Sequence, residues 1–178
     1  MSISPPPKFS QAAGFTFAGG KAGSGPPKIE HRIGVKASAA LLWEIMADLP
    51  RWSEWNPLYT AAEGELRIGA VLTLTLALPG EAPQVIRPVI VDWVPEDQIH
   101  WQLSLLRGLI ISIRFIEIEA LGEANCIVSN GELFGGLLGG WAANQKRRAL
   151  REGFKQMSEA LAARAEALWR ERSPSPTS

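Results

Sequence analysis

The residues best suited to chemistry lie in one short stretch, "CIVSNGELF", which begins at Cys126. Successive side chains of a β-strand alternate between its two faces, so Val128, Asn130, Glu132 and Phe134 share one face. If the apolar pair points inward, Asn130 and Glu132 do so too. A buried carboxylate is costly unless it is paired or protonated. We therefore predict that Glu132 contacts a ligand or acts as a general acid or base, with Asn130 beside it.

The arginines of the chain allow a second interpretation of where Glu132 lies, and their own orientation is also undecided. In the alternative interpretation Glu132 lies at the rim of the sheet and pairs with an arginine of a later helix, Arg147 or Arg148. Arg87 lies in the middle of a predicted strand, and it contacts a ligand carboxylate if its face points inward. It faces solvent if the opposite face points inward. Arg114 alternates with large apolar residues in "ISIRFIE" and is predicted to point outward.

Aromatic residues indicate an apolar cavity. The stretch "RWSEWNPL" places Trp52 and Trp55 beside the helix-breaking pair Asn56-Pro57. In one interpretation the two rings close the mouth of a cavity and shield an apolar ligand. In the other, both rings belong to the ordinary core. The further residues predicted to contact a ligand are Trp101, Phe115, Phe134, Phe154 and Met157.

Other kinds of site have little support in the sequence. The only histidines are His31 and His100, and neither belongs to a His, Cys and Asp cluster at ligand spacing, so we expect no metal site. Cys126 has no local signature of a reactive thiol. The glycine-rich stretches "GGKAGSG" and "GGLLGG" lack the strand context and the Lys-Ser/Thr of a phosphate loop. No cofactor is therefore predicted.

The composition limits the partners. The chain has 178 residues, of which 46% are hydrophobic, with 18 basic and 18 acidic side chains. This balance argues against nucleic acid, which usually binds a basic surface. No run reaches the roughly 18 apolar residues of a membrane helix, and no signal peptide is expected. A single cysteine excludes an intrachain disulfide and fits a reducing cytoplasm, while the oligomeric state stays open.

Three segments position these residues. Residues 1–28 are rich in Pro, Gly, Ala and Ser and are predicted to be a disordered leader, residues 29–172 to form one domain, and residues 173–178 to be a disordered tail. Within the domain the pattern predicts a strand, two short helices, six further strands and a helix over about 138–172. Short loops favour an antiparallel meander. A curved sheet of about seven strands can wrap the long helix and bury its apolar stripe, which is an α+β architecture.

Three stretches resemble the SRPBCC superfamily, also called START-like or Bet v 1-like, and within it the bacterial polyketide cyclase/dehydrase and lipid transport type. They are "VKASAALLWEIMADLPRWSEWNP", "GELRIGAVLTLTL", and "CIVSNGELFGGLLGG" running into "LREGFKQMSEALAARAEAL". The resemblance covers about residues 29–169. It implies the helix-grip fold, with an apolar pocket between sheet and helix. Where this family often has Thr-His, the chain has Ser129-Asn130, so proton transfer by that histidine is missing.

We therefore expect a cytoplasmic protein that binds or transports a small hydrophobic or amphipathic ligand, such as a lipid, a polyketide-like aromatic or an isoprenoid. One alternative is a cyclase or dehydratase that uses the same cavity without a metal. Holding a reactive polyketide in position would then supply much of the reduction in barrier. Another alternative is a protein-partner module that uses the phenylalanines of the leader.

Overall fold

The computed structural model describes residues 25–172. Residues 1–24 and 173–178, with most of the predicted leader and all of the predicted tail, lie outside the described residues. The first strand begins one residue before the predicted start of the domain. The elements are β1 (Lys28–Val35), α1 (Ala39–Ala47), a 3₁₀ helix (Leu49–Glu54), β2 (Tyr59–Glu63), β3 (Thr73–Leu76), β4 (Gln84–Ile86), β5 (Val89–Val94), β6 (Gln98–Leu105), a 3₁₀ turn (Leu106–Gly108), β7 (Ile110–Gly122), β8 (Asn125–Gly135) and α2 (Gly139–Arg172).

The strands within residues 25–172 form two antiparallel sheets that join into one curved surface. The larger sheet has the order β1-β8-β7-β6-β5 and the smaller the order β2-β3-β4, and a bridge between Val71 and Val89 connects them. This makes eight strands rather than about seven, because Pro88 has no N–H to donate and separates β4 from β5. The predicted helix-grip fold is confirmed, with two short helices between the first two strands and a long C-terminal helix.

Side-chain hydrogen bonds fix the connection from β1 to β2. Ser38 caps α1, and its Oγ accepts a hydrogen bond from the N–H of Leu41 at 3.2 Å. Asn56 is buried after the 3₁₀ helix, where its Oδ1 accepts hydrogen bonds from the N–H groups of Leu58 and Tyr59 at 3.0 and 2.9 Å. The side chain thus takes the place of a backbone partner and turns the chain into β2.

Helix α2 packs along the inner face of the larger sheet. Leu150, Phe154, Met157 and Leu161 of the predicted apolar stripe are buried, and Leu168 is partly buried. These side chains join those of α1 and the inner faces of both sheets in one hydrophobic core. None of the helices within residues 25–172 combines the length and the apolar character needed to cross a membrane.

The side chains of β7 point to the opposite faces from those predicted. Arg114 is buried on the inner face together with Ser112. Phe115 and Ile113 lie on the outer face, where they form a separate apolar cluster with Leu133. The prediction that Arg114 points outward was wrong. Because β7 carries large apolar side chains on both faces, the alternation of hydrophobicity does not identify the inner one.

Candidate ligand cavity

A cavity of about 230 Å³ lies between the smaller sheet, the inner faces of β6 to β8 and the first half of α2. Its lining is mainly apolar. Representative side chains from each wall are Leu76, Ile86, Trp101, Leu103, Phe134 and Leu150. The fold therefore leaves an apolar space where the sheet and the long helix do not meet.

Polar side chains lie at the two ends of this space. Ser112, Arg114 and Glu132 are buried and form its floor. Gln84 and Gln145 also line the cavity but are exposed, so they mark its mouth. A ligand that enters between these two glutamines would first meet apolar walls and then the buried polar group.

The centre of the floor is an ion pair. Arg114 Nε lies 2.8 Å from Glu132 Oε2, and both side chains are buried. Glu132 also accepts a hydrogen bond from Ser112 Oγ. Arg114 Nη1 donates to the hydroxyl of Tyr59, which comes from the smaller sheet. Three strands thus hold the charged groups in place.

Burial and pairing determine how these groups titrate. Burial opposes the charge on Arg114, but Glu132 and Tyr59 outweigh it, so the pKa of the guanidinium lies above its ordinary value. Burial raises the pKa of Tyr59 to about 12, although the nearby Arg114 partly offsets the effect. At neutral pH the floor therefore contains a guanidinium cation, which contacts the neutral phenol of Tyr59 behind it.

An aromatic group packs behind the ion pair. The ring centroid of Trp101, which lines the cavity, lies 5.9 Å from that of Tyr59 and 6.4 Å from that of Trp52. Trp55 lies 6.0 Å from Trp52, whose Nε1 donates to the backbone oxygen of Met46 at 3.0 Å. Neither Trp52 nor Trp55 lines the cavity. Trp52 belongs to the hydrophobic core, and Trp55 is partly buried against it.

Three of the predicted site residues line the cavity, namely Glu132, Trp101 and Phe134. Glu132 is not at the rim, and its charged partner is on β7 rather than being Arg147 or Arg148 of α2. The predicted parity of β8 is therefore correct, whereas the alternative pairing is wrong.

The other predicted site residues lie elsewhere. Asn130 is buried beside α2, with Nδ2 at 3.3 Å from Met157 Sδ and 3.5 Å from the backbone oxygen of Phe154. These three residues hold the sheet against the helix and do not line the cavity. Phe115 is on the outer face of the sheet. Arg87 is exposed, because it lies in the break between β4 and β5 that Pro88 creates.

The sequence did not identify Ser112 and Arg114 at the floor, Tyr59 behind Arg114, or Trp141 near the mouth. One signal was available. A carboxylate predicted to be buried requires a cation nearby, and Arg114 was the arginine within the adjacent predicted strand. The remaining contacts depend on the register between strands, which the sequence does not specify.

No group of three or more His, Cys, Asp or Glu side chains that could hold a metal ion occurs within residues 25–172. Residues 26–166 match one protein family, "Polyketide cyclase / dehydrase and lipid transport". The chain belongs to this family. No curated protein matches it in sequence.

Solved structures share the fold of this family member at low sequence identity. A START superfamily protein from Mycobacterium smegmatis has 17% identity and a TM-score of 0.62, over 79% of this chain and 98% of that one. Norcoclaurine synthase from Thalictrum flavum, in complex with dopamine and hydroxybenzaldehyde, has 15% identity and a TM-score of 0.61, over 92% of this chain and 100% of that one. The di-domain ARO/CYC StfQ from the steffimycin biosynthetic pathway has 17% identity and a TM-score of 0.63, over 79% of this chain and 51% of that one.

Proposed function

We propose that this family member binds a compact, mainly apolar molecule that carries one neutral hydroxyl or carbonyl group. The observation that carries the proposal is the buried pair of Arg114 and Glu132 at the floor of an apolar cavity. The volume of about 230 Å³ is below the roughly 300–1,000 Å³ of most ligand pockets, which favours a small ligand or one end of a longer one. We include a cytoplasmic location in the proposal, supported by the buried free thiol of Cys126.

The apolar walls supply affinity without fixing orientation. Removing apolar surface from water is worth about 25 cal/mol per Å², whatever the direction in which the ligand lies. The polar floor then selects one end of the ligand.

The charge of the floor favours a neutral ligand group over a carboxylate. Arg114 already faces the carboxylate of Glu132, so a second buried carboxylate would lack a compensating cation. A hydroxyl group can donate to Glu132 Oε2 and accept from the guanidinium. A carbonyl oxygen can accept a hydrogen bond from the guanidinium but has no hydrogen to donate to Glu132. A phenol or hydroxyketone therefore matches the floor better than a fatty acid does.

Three aromatic probes of similar size test this selectivity: naphthalene, naphthol and naphthoate. We expect isothermal titration calorimetry to show naphthol binding about tenfold more tightly than naphthalene, a difference of about 1.4 kcal/mol, and naphthoate binding most weakly. Tighter binding of naphthoate would contradict the charge argument. If none of the three binds, the cavity does not take aromatic ligands of this size and the proposal is wrong.

A pair of variants in β6 shows whether the probes enter the cavity. Leu103 lines the cavity, whereas its neighbour Gln102 lies on the opposite face of the strand. Leu103→Trp fills the space and should abolish naphthol binding. Gln102→Trp adds the same ring outside the cavity and should leave binding unchanged. Equal loss in both variants would place the probe elsewhere.

A second candidate function is cyclase or dehydratase chemistry in the same cavity. It is favoured by Glu132, which accepts a hydrogen bond from Ser112 and lines an apolar space where a carboxylate can move a substrate proton. Glu132→Gln keeps the shape and removes the base. If the protein is an enzyme, turnover of a poly-β-ketone thioester should fall by about 100-fold or more, while the circular dichroism spectrum persists. Unchanged turnover, or no turnover by the wild type, excludes this role.

A further inference from the structure

Large apolar side chains that are exposed to solvent occur at the end of the cavity where Leu105 and Trp141 line it. Leu106, Leu137 and Trp141 are the most exposed of them, at 61%, 80% and 60%. Contiguous apolar patches on a protein surface mark places where it meets another molecule or a membrane. We refer to the following residues together as the mouth rim: Leu105, Leu106, Leu109, Leu137, Leu138 and Trp141.

The mouth rim is one surface because two loops meet there. The N–H of Leu138 donates to the backbone oxygen of Leu109 at 2.9 Å. Gly136 lies so close to the same oxygen that a Cβ at this position would overlap it. Leu105 and Trp141 also line the cavity. Two members of the mouth rim therefore line the cavity, and the other four lie in the two loops beside them.

Backbone strain accompanies this exposure. Leu106, Arg107 and Gly108 have consecutive positive φ angles of 50°, 55° and 89°. Glycine adopts this region readily, but leucine and arginine rarely do so, because Cβ comes too close to the backbone. Such strain persists where the surrounding structure enforces it and is often associated with function. Here it maintains a leucine in solvent at the end of β6.

Positive charge lies in a second groove, which shares Gln145 with the lining of the cavity. Although the whole chain has 18 basic and 18 acidic residues, neither residues 98–116 nor residues 133–151 contain an acidic one. Arg147, Arg148 and Arg151 are exposed and line a groove on the first half of α2, just after Trp141. Two acidic side chains border this groove, and each has a partner other than these arginines. Glu30 pairs with Lys28, and Glu152 accepts a hydrogen bond from Gln156.

We propose that the mouth rim docks on the surface of an anionic lipid bilayer. Trp141 and the leucines enter the interfacial region, where tryptophan and apolar side chains are favoured. Arg107 and the arginines of α2 lie at the level of the phosphates, to which basic clusters are attracted. The cavity then opens toward the lipid, and an apolar ligand passes between bilayer and protein without crossing water.

The distribution of charge favours a membrane over a second copy of the chain. A two-fold contact through the mouth rim would bring Arg107 and the arginines of α2 near their own counterparts, which is repulsive. An anionic bilayer meets both the apolar and the basic parts of the surface. Docking concerns residues outside the polar floor of the cavity, so it stands independently of the proposed ligand.

The test measures co-sedimentation of the full chain with vesicles of phosphatidylcholine, alone or mixed with phosphatidylglycerol. We expect binding to the mixed vesicles that weakens as salt is added, and much weaker binding to phosphatidylcholine alone. The double variant Leu106→Asn, Leu137→Asn should bind the mixed vesicles at least about tenfold more weakly. Asparagine tolerates positive φ better than leucine does, so this change at residue 106 is compatible with the fold.

Leu121→Asn is the matched control, because Leu121 is 62% exposed at the opposite end of β7. Its vesicle binding should equal that of the wild type. Wild-type protein that binds neither vesicle, or an equal loss in the control, would overturn the proposal. So would a concentration-dependent dimer that the double variant abolishes, because it would assign the mouth rim to a second copy. Naphthol binding should be unchanged in the double variant, which separates failure of docking from failure of ligand binding.

Discussion

Arg114 of β7 and Glu132 of β8 face each other in register, with Nε and Oε2 2.8 Å apart and both side chains buried. Removal of one member leaves a charge buried without its partner. We predict that Arg114→Met and Glu132→Leu each lower the free energy of unfolding by about 3–5 kcal/mol. The double variant should recover most of this loss, since apolar residues can replace a buried pair at little cost. Urea unfolding of the four proteins gives the coupling energy as a double-mutant cycle.

The exposed pair of Arg32 and Glu119 serves as the control for this cycle. Its atoms lie 3.1 Å apart, but the side chains are 44% and 41% exposed. Water and salt screen such a pair, so Arg32→Met should change the free energy of unfolding by about 1 kcal/mol or less. Losses of similar size at Arg32 and Arg114 would show that the buried pair has no special structural role.

Tyr59 provides a prediction about pH. Burial raises its pKa to about 12 in the folded protein, whereas an unfolded chain ionises near the ordinary value of about 10. The unfolded state therefore loses its proton first, and this contribution to stability is complete below pH about 10 and lost as the pH rises through about 12. Tyr59 is the single tyrosine of the chain, so ultraviolet absorbance of tyrosinate reports this residue alone. A midpoint near the ordinary value would contradict its burial against Arg114.

Tyr59→Phe isolates this effect. The variant loses the hydrogen bond from Arg114, so its free energy of unfolding at neutral pH should fall by about 1–3 kcal/mol. Between pH about 10 and about 12 its stability should decline less steeply than that of the wild type, because the group that titrates in this window is absent. Parallel declines in both proteins would assign alkaline unfolding to other residues.

The fold was predictable from the sequence because its elements have clear periodicities. The stripe on α2, the N-cap of α1 at Ser38 and the turn at Asn56 all follow from local physical chemistry. Pro88 within a strand indicates an edge or a bulge, but its effect on strand count depends on how the two sheets join. That junction is set by contacts distant in sequence, such as the bridge to Val71.

The candidate site was only partly predictable. Strand parity correctly placed Glu132 inward, since Val128 and Phe134 mark the inner face of β8. It failed for Arg114, because β7 is apolar on both faces. Parity describes each strand alone, whereas the site is formed by pairs across strands. The register that brings Arg114 beside Glu132 requires the folded sheet.

Asn56 allows a test of the turn that leads into β2. Its Oδ1 accepts two backbone hydrogen bonds within a buried segment. Asn56→Ala leaves both N–H groups without this partner, and we expect a loss of about 1–3 kcal/mol in the free energy of unfolding for each group left unsatisfied. The exposed Asn125→Ala, at the start of β8, should change stability by less than about 0.5 kcal/mol. A small effect at residue 56 would mean that water replaces the side chain.

Gly131 of β8 tests how closely the outer-face cluster packs. A Cβ at this position would lie 2.5 Å from Phe115 Cζ and 2.6 Å from the backbone oxygen of Ile29. The ring can rotate away but the backbone of β1 cannot, so Gly131→Ala should lower the free energy of unfolding by about 1–3 kcal/mol. A Cβ at Gly34 of β1 would meet no atom within 4 Å, so Gly34→Ala should be neutral or stabilise by about 0.4–1 kcal/mol. Equal effects measured by urea unfolding would mean that β1 moves away from β8 to accept the methyl group.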